Sequence, residues 1–99
     1  MKVVVNTKIG GAGLSHDAVI RLISRGVDMD LMDNEVLEHY PLLFMERHNP
    51  ELVRVVEEGN ASGEMSHLVV MEIPDVDYFV MENEDGTEYI AEAHRTWEP

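Results

Sequence analysis

Hydrophobic positions along the chain fall into short segments of two different periods, and glycine, proline and asparagine mark the breaks between them. Residues 2–8 carry Val3-Val4-Val5, a β-branched run that stops at Gly10-Gly11 and predicts a first strand. After the loop Gly10-Gly11-Ala12-Gly13, Ser15 is a favoured helix N-cap, and Asp17 suits the positive end of the helix dipole. Ala18, Val19, Leu22 and Ile23 then recur at one-and-four spacing, so one stripe of this helix should face a core. Arg21 and Arg25 lie off the stripe, near the end where positive charge is favourable, and Gly26 ends the helix.

The next stretch is less regular. Val27-Asp28-Met29-Asp30-Leu31 alternates like a short, half-exposed strand. Asp33 is placed to cap a short helix reaching Tyr40, which Pro41 would terminate. Leu42-Leu43-Phe44-Met45 is apolar without clear periodicity, a pattern compatible with burial or with a sticky surface.

Asn49-Pro50 is the clearest start signal in the chain, an Asn cap followed by proline at the first helical position. A helix over residues 51–58 would turn Leu52, Val53, Val55 and Val56 inward and close at Gly59-Asn60. Residues 59–66 are small and polar and read as a connection, and residues 67–73 as a second strand ending before Pro74-Asp75. Two β-like runs, 78–81 and 88–91, flank Asn83-Glu84-Asp85-Gly86-Thr87, which predicts a hairpin whose loop exceeds two residues. Tyr78 and Val80 alternate with Phe79 and Met81, so that strand should be covered on both faces. The predicted architecture is α+β: one small domain over residues 1–99, a mainly antiparallel sheet in the order β-α-α-β-β-β, and two helices on one face.

Composition narrows the class without naming an activity. The apolar fraction of 44% suits a globular core, and no window approaches the roughly 18 apolar residues of a membrane span. The amino-terminal run turns polar too soon for a signal peptide. Cysteine is absent, which excludes disulfides and thiolate metal sites and fits a reducing cytoplasm. Twenty carboxylates against seven Lys and Arg give a formal charge of −13. Such a surface repels nucleic acid and anionic membranes. It serves solubility, or it is itself a ligand for a basic protein surface that ordinarily holds nucleic acid.

The candidate chemistry is sparse. Strand, glycine loop and helix start have the outline of an anion cradle, with Lys8, Gly10, Gly11, Gly13 and Ser15 as candidate ligand contacts. The loop matches neither the P-loop nor the dinucleotide pattern, and a tight turn that needs glycines explains it as well. Asp28, Asp30, Asp33 and Glu35 form an acidic cluster, but Met32 and Asp33 stand where an EF-hand needs an oxygen ligand and a glycine. His16, His39, His48, His67 and His94 show no zinc-ligand spacing, and Ser15-His16 lacks the context of a hydrolase nucleophile. No catalytic residue, metal or cofactor is therefore assigned. In the tail, His94, Arg95 and Trp97 bring together residue types that anchor interfaces. The alternative is that Trp97 folds back onto the core while Arg95 pairs with a local carboxylate.

Three stretches together carry a resemblance: Gly10-Gly11-Ala12-Gly13-Leu14-Ser15 with Ala18-Val19, the run from Asn49-Pro50 to Glu57-Glu58, and the segment from Val70-Met71-Glu72-Ile73-Pro74-Asp75 through Asp85-Gly86-Thr87-Glu88 to His94-Arg95-Thr96-Trp97. In these the chain resembles a family of small, acidic bacteriophage and prophage proteins, over most of its length except residues 27–48. Asn83-Glu84 departs from the family pattern ahead of Asp-Gly, which leaves the hairpin turn open. The resemblance implies a phage-encoded accessory protein in the cytoplasm of a bacterial host and supplies no activity. With the charge and the missing catalytic motifs, the expected function is non-enzymatic binding of a host or phage protein, as an inhibitor or a nucleic-acid mimic. The alternative is a small anionic-ligand or nucleotide binder using the Gly10–Ser15 loop. A short apolar first strand with an uncovered edge would also pair with a second copy of the chain.

Overall fold

β1 (Lys2–Asn6) organises the structure because its three valines leave no face for solvent: Val3, Val4 and Val5 are all fully buried. Successive side chains of a strand point to opposite faces, so burying all three requires a layer on each side. The computed structural model, which describes residues 1–9, 13–29, 36, 41–92 and 95–99, supplies both layers. β1 pairs antiparallel with β2 (Leu68–Glu72), Val4 opposite Val70 and Val5 opposite Val69. On one face of this two-stranded sheet, Val4 and Leu68 pack with Leu14, Ala18, Leu22, Met29, Leu42, Leu52, Val53 and Val55. On the other, Val3 and Val5 meet Ile73 and Ile90, with Tyr78, Val80 and Trp97 partly buried around them.

Two helices form the first layer. α1 (His16–Ser24) begins where expected, with the Ser15 hydroxyl accepting from the Ala18 N–H at 3.0 Å, and Gly26 follows it at φ +88°. Its buried stripe is narrower than the spacing suggested: Ala18 and Leu22 are buried, while Ile23 is 53% exposed. At about 100° per residue Ile23 lies beyond Val19, past the edge of the contact with the neighbouring helix. Arg21, on the other side of that stripe, is drawn into the contact instead. α2 (Pro50–Glu58) starts on Asn49, whose Oδ1 accepts from the Glu51 and Leu52 N–H groups, and ends at Gly59 with φ +95°. Arg21 donates to the Val55, Gly59 and Asn60 carbonyls, satisfying acceptors that the end of α2 leaves open, and forms ion pairs with Asp17 and Glu58.

The outer layer is a three-stranded antiparallel sheet in the order β3 (Phe79–Glu82), β4 (Glu88–Ala91), β5 (Thr96–Trp97). The α+β class and the single domain stand as expected, but the strands form two small sheets rather than one. The valine run explains this, since the odd-numbered valines need a second sheet against them. The hairpin loop spans residues 83–87, with Gly86 at φ +92° and Asp85 Oδ1 accepting from the Thr87 N–H and hydroxyl.

Three further expectations change. β3 is not covered on both faces: Phe79 is 65% and Met81 41% exposed, and only the Tyr78 and Val80 side reaches the core. Residues 27–29 pair with no strand, because the Val27 N–H is used to bond Leu22 O and Met29 drops into the core. Asp30, Leu31 and, apart from a helical Val36, the helix expected from Asp33 to Tyr40 lie outside the described residues. Finally, the outer edge of β1 is covered. The Val4 N–H donates to Arg47 O, the Arg47 side chain donates back to Val4 O, and the Asn6 N–H donates to Glu88. At that edge the Val4 N–H and carbonyl and the Asn6 N–H are thus already bonded within the chain.

Candidate interaction surface

Pro41–Phe44 forms one 3-10 turn, in which Leu42 is buried and Leu43 is 55% exposed, so the apolar run divides between core and surface. The chain then passes Arg47, which lies in the interior. Its Nη1 and Nη2 reach the two carboxylate oxygens of Glu88 at 2.7 and 2.9 Å, its Nε donates to Leu42 O, and its Nη1 also meets Val4 O at 3.2 Å. Glu88 is buried as well, and its Oε1 additionally accepts from the Asn6 N–H at 2.7 Å. A buried carboxylate is costly unless paired and hydrogen-bonded, and here both conditions hold.

This ion pair joins β1, the 41–48 segment and the β3–β4 hairpin, and it forms part of the floor of a trench. One wall is the 42–48 segment and the other is residues 75–82. A cleft of about 180 Å³ lies between Leu42, Leu43 and Met45 on one side and Val80 and Glu82 on the other. It shares Met45, Arg47 and Val80 with a wider groove of about 980 Å³, bounded by Met1, His48, Asp75, Asp77 and Phe79 among others. Within that groove His48 Nδ1 lies 2.7 Å from the Tyr78 hydroxyl, with the rings edge to face at 84°, and His48 Nε2 lies 3.6 Å from Glu46. Burial is the largest influence on the Tyr78 phenol and pushes its pKa up, so Tyr78 is a neutral hydrogen-bonding group at neutral pH.

Charge is distributed unevenly over this surface. Between His67 and His94 the sequence carries eight carboxylates and no Lys, Arg or His. Most of the cations are engaged in other ion pairs: Lys2 with Glu57, Arg21 and Arg25 with Glu58, Arg54 with Glu51, Arg95 with Glu92, and Arg47 with Glu88 in the trench floor, while Lys8 meets only the Glu64 carbonyl. Among the described residues Asp75, Asp77, Glu82, Glu84 and Asp85 have no ion-pair partner, and all five lie on the 75–85 side of the trench or in the adjoining hairpin loop.

The residues singled out in the glycine loop are turned to internal use where they are described. Ser15 caps α1 and donates to Asn60 O at 2.6 Å, while Lys8 Nζ reaches Glu64 O at 3.4 Å. Gly13 O accepts from the Gly63 N–H and from the buried Ser66 hydroxyl, and the Leu14–Ser62 bridge continues this docking of one loop on another. Gly10 and Gly11 lie outside the described residues, as does His94. In the tail, Trp97 is half-buried against the second core cluster and pairs with Ile90, and the Arg95 guanidinium lies 4.8 Å over the indole ring. His16 is exposed on the first turn of α1. Among the described residues no group of three His, Asp or Glu side chains is arranged to hold a metal ion.

Sequence reasoning missed Arg47, Glu88, Tyr78 and His48 as a group. Arg47 sits between Glu46 and His48 in a polar stretch, and Glu88 is one of twenty carboxylates, so only their meeting across the fold distinguishes them. No helix of the described residues is long and apolar enough to cross a membrane. Comparison with protein-family models, with curated proteins and with solved structures gives no match for this chain.

Proposed function

We propose that this protein is a small acidic accessory protein of the phage type, acting without catalysis in the bacterial cytoplasm by binding a basic surface of a host or phage protein. The observation that carries the reading is the concentration of Asp75, Asp77, Glu82, Glu84 and Asp85 along residues 75–85, without ion-pair partners among the described residues, while six of the seven Lys and Arg side chains are engaged with other carboxylates. Unpaired carboxylates close together repel one another, and a cationic partner relieves that repulsion while gaining electrostatic steering. A basic surface that ordinarily holds nucleic-acid phosphates has the complementary charge, so inhibition by mimicry is the mode this arrangement favours. The three segments that resemble small acidic phage proteins support the same setting.

The test is retention of proteins from bacterial lysate on the immobilised chain at low and high salt, beside a variant with Asp75 and Asp77 changed to Asn and Glu82 and Glu84 changed to Gln. A specific partner held at low salt, released at high salt and lost with the variant is the expected result. Equal retention by variant and native chain would remove the acidic face from the function.

A further inference from the structure

The hydrogen-bonding phase of the β3–β4 hairpin leaves the outer edge of β3 without backbone partners among the described residues. The Asn83 N–H donates to Thr87 O across the hairpin, which makes 83–87 a hydrogen-bonded pair. The phase alternates in an antiparallel ladder, and the register sets Met81 opposite Tyr89 and Phe79 opposite Ala91, so these residues also turn their backbone groups toward β4. The backbone groups of Val80 and Glu82 therefore point outward. β3 is the outer strand of its sheet, and among the described residues the Val80 and Glu82 N–H groups have no hydrogen-bond partner. Beside this edge runs the cleft walled by Leu42, Leu43 and Met45.

β2 also has an outer edge, but there the Leu68 N–H is already taken by the Ser62 hydroxyl. Natural edge strands are usually protected by lysine, proline, a bulge or a covering element. β3 carries none of these on its own residues and instead presents Phe79 and Met81, 65% and 41% exposed, on its solvent face. Asp77 precedes this apolar pair, and Glu82 and Glu84 follow it.

We infer that an extended segment of the partner adds to β3 as a further strand, bonding to the outward backbone groups of Val80 and Glu82. Such a segment carries β-branched residues over Phe79 and Met81, with lysines or arginines at both ends to meet Asp77 on one side and Glu82 and Glu84 on the other. Main-chain bonds give a strand-addition complex its affinity, and the flanking charges give it register and selectivity. The inference rests on the proposed binding of a basic partner and specifies the docking mode.

The probe is a short capped peptide with a valine–threonine–valine centre between lysine pairs, titrated against the isotope-labelled full chain and followed by amide NMR at low salt. Two further peptides carry N-methyl groups on alternate backbone nitrogens, one set along each edge, so that charge and side chains are unchanged. The expected result is that the parent peptide binds and protects the Val80 and Glu82 amides from exchange. Methylation along one edge should then weaken binding by roughly tenfold or more, while methylation along the other leaves it intact. Val80→Pro, which removes an outward N–H and no β3–β4 bond, should weaken the parent peptide similarly. If all three peptides bind equally, strand addition is rejected while the charge-based reading stands. If none binds at low salt, both fall. The methylated pair decides the matter even if Val80→Pro proves unstable.

Discussion

The Arg47 guanidinium and the Glu88 carboxylate meet end-on in the interior, Nη1 against Oε1 and Nη2 against Oε2, across 41 residues of chain. Each partner also binds β1, Arg47 at Val4 O and Glu88 at the Asn6 N–H. The pair thus closes the edge of the first strand and fixes the hairpin relative to it. Directly across the hairpin, Glu82 faces Glu88, an opposition of like charges that would destabilise the ladder if Arg47 did not neutralise one member.

Removing one member of this pair should cost far more than removing both. Glu88→Gln or Arg47→Ala strands a buried charge and is expected to lower unfolding free energy by roughly 3–5 kcal/mol in urea titrations. The double variant Arg47→Met with Glu88→Leu should lose clearly less than the sum of the singles. Additive losses would show that the two groups act independently.

Stability in acid should carry the signature of Glu58. The hydrogen bond from Arg25, aided by Arg21, holds its carboxyl below the usual carboxylate range. A folded-state pKa below the unfolded one contributes stability that is full above the unfolded value, roughly 4.3, and is lost as pH falls through the folded value. Glu58→Gln should therefore lower the melting temperature at neutral pH, and the gap to the native chain should close as pH drops below about 4. The group is exposed, so the difference is expected to be small and reduced by salt. A gap independent of pH would assign the effect to packing.

Gly63 should tolerate no branched side chain. A Cβ built there would lie 3.1 Å from the Gly13 carbonyl carbon, in a backbone approach that the Ser66 hydroxyl also binds. Gly63→Val is expected to cost about 1–3 kcal/mol by thermal or urea unfolding, through separation of the two loops. An unchanged midpoint would mean the loops part without penalty.

The tail separates into a packing residue and a surface residue. Trp97→Ala opens space beside Val3, Val5 and Ile90 and should lower stability by about 2–3 kcal/mol, below the full cost of a completely buried aromatic. Arg95→Ala removes an exposed ion pair and a cation–π contact and should cost about 1 kcal/mol or less. Differential scanning calorimetry on the two variants checks the contrast. Equal losses would place Arg95 in the packing as firmly as Trp97.

What the sequence determined by itself was local. Ser15 and Asn49 cap their helices, Gly26 and Gly59 follow the ends in the left-handed region, and Asp85-Gly86 turns the hairpin, because these signals act through backbone groups a few residues away. The tertiary structure alone decided everything that depends on which faces meet. Val3-Val4-Val5 does not say that its alternate members belong to different layers, Phe79 and Met81 do not announce an open face, and Ile23 looks as apolar as Leu22. Arg47 and Glu88 illustrate the limit most plainly. A charged side chain reads as surface until the fold places its counter-ion and a set of backbone donors and acceptors around it, and pairings over 41 residues leave no trace in local spacing. The trench and the open edge of β3 belong to the same class, since both are produced by how the hairpin is held against the 41–48 segment.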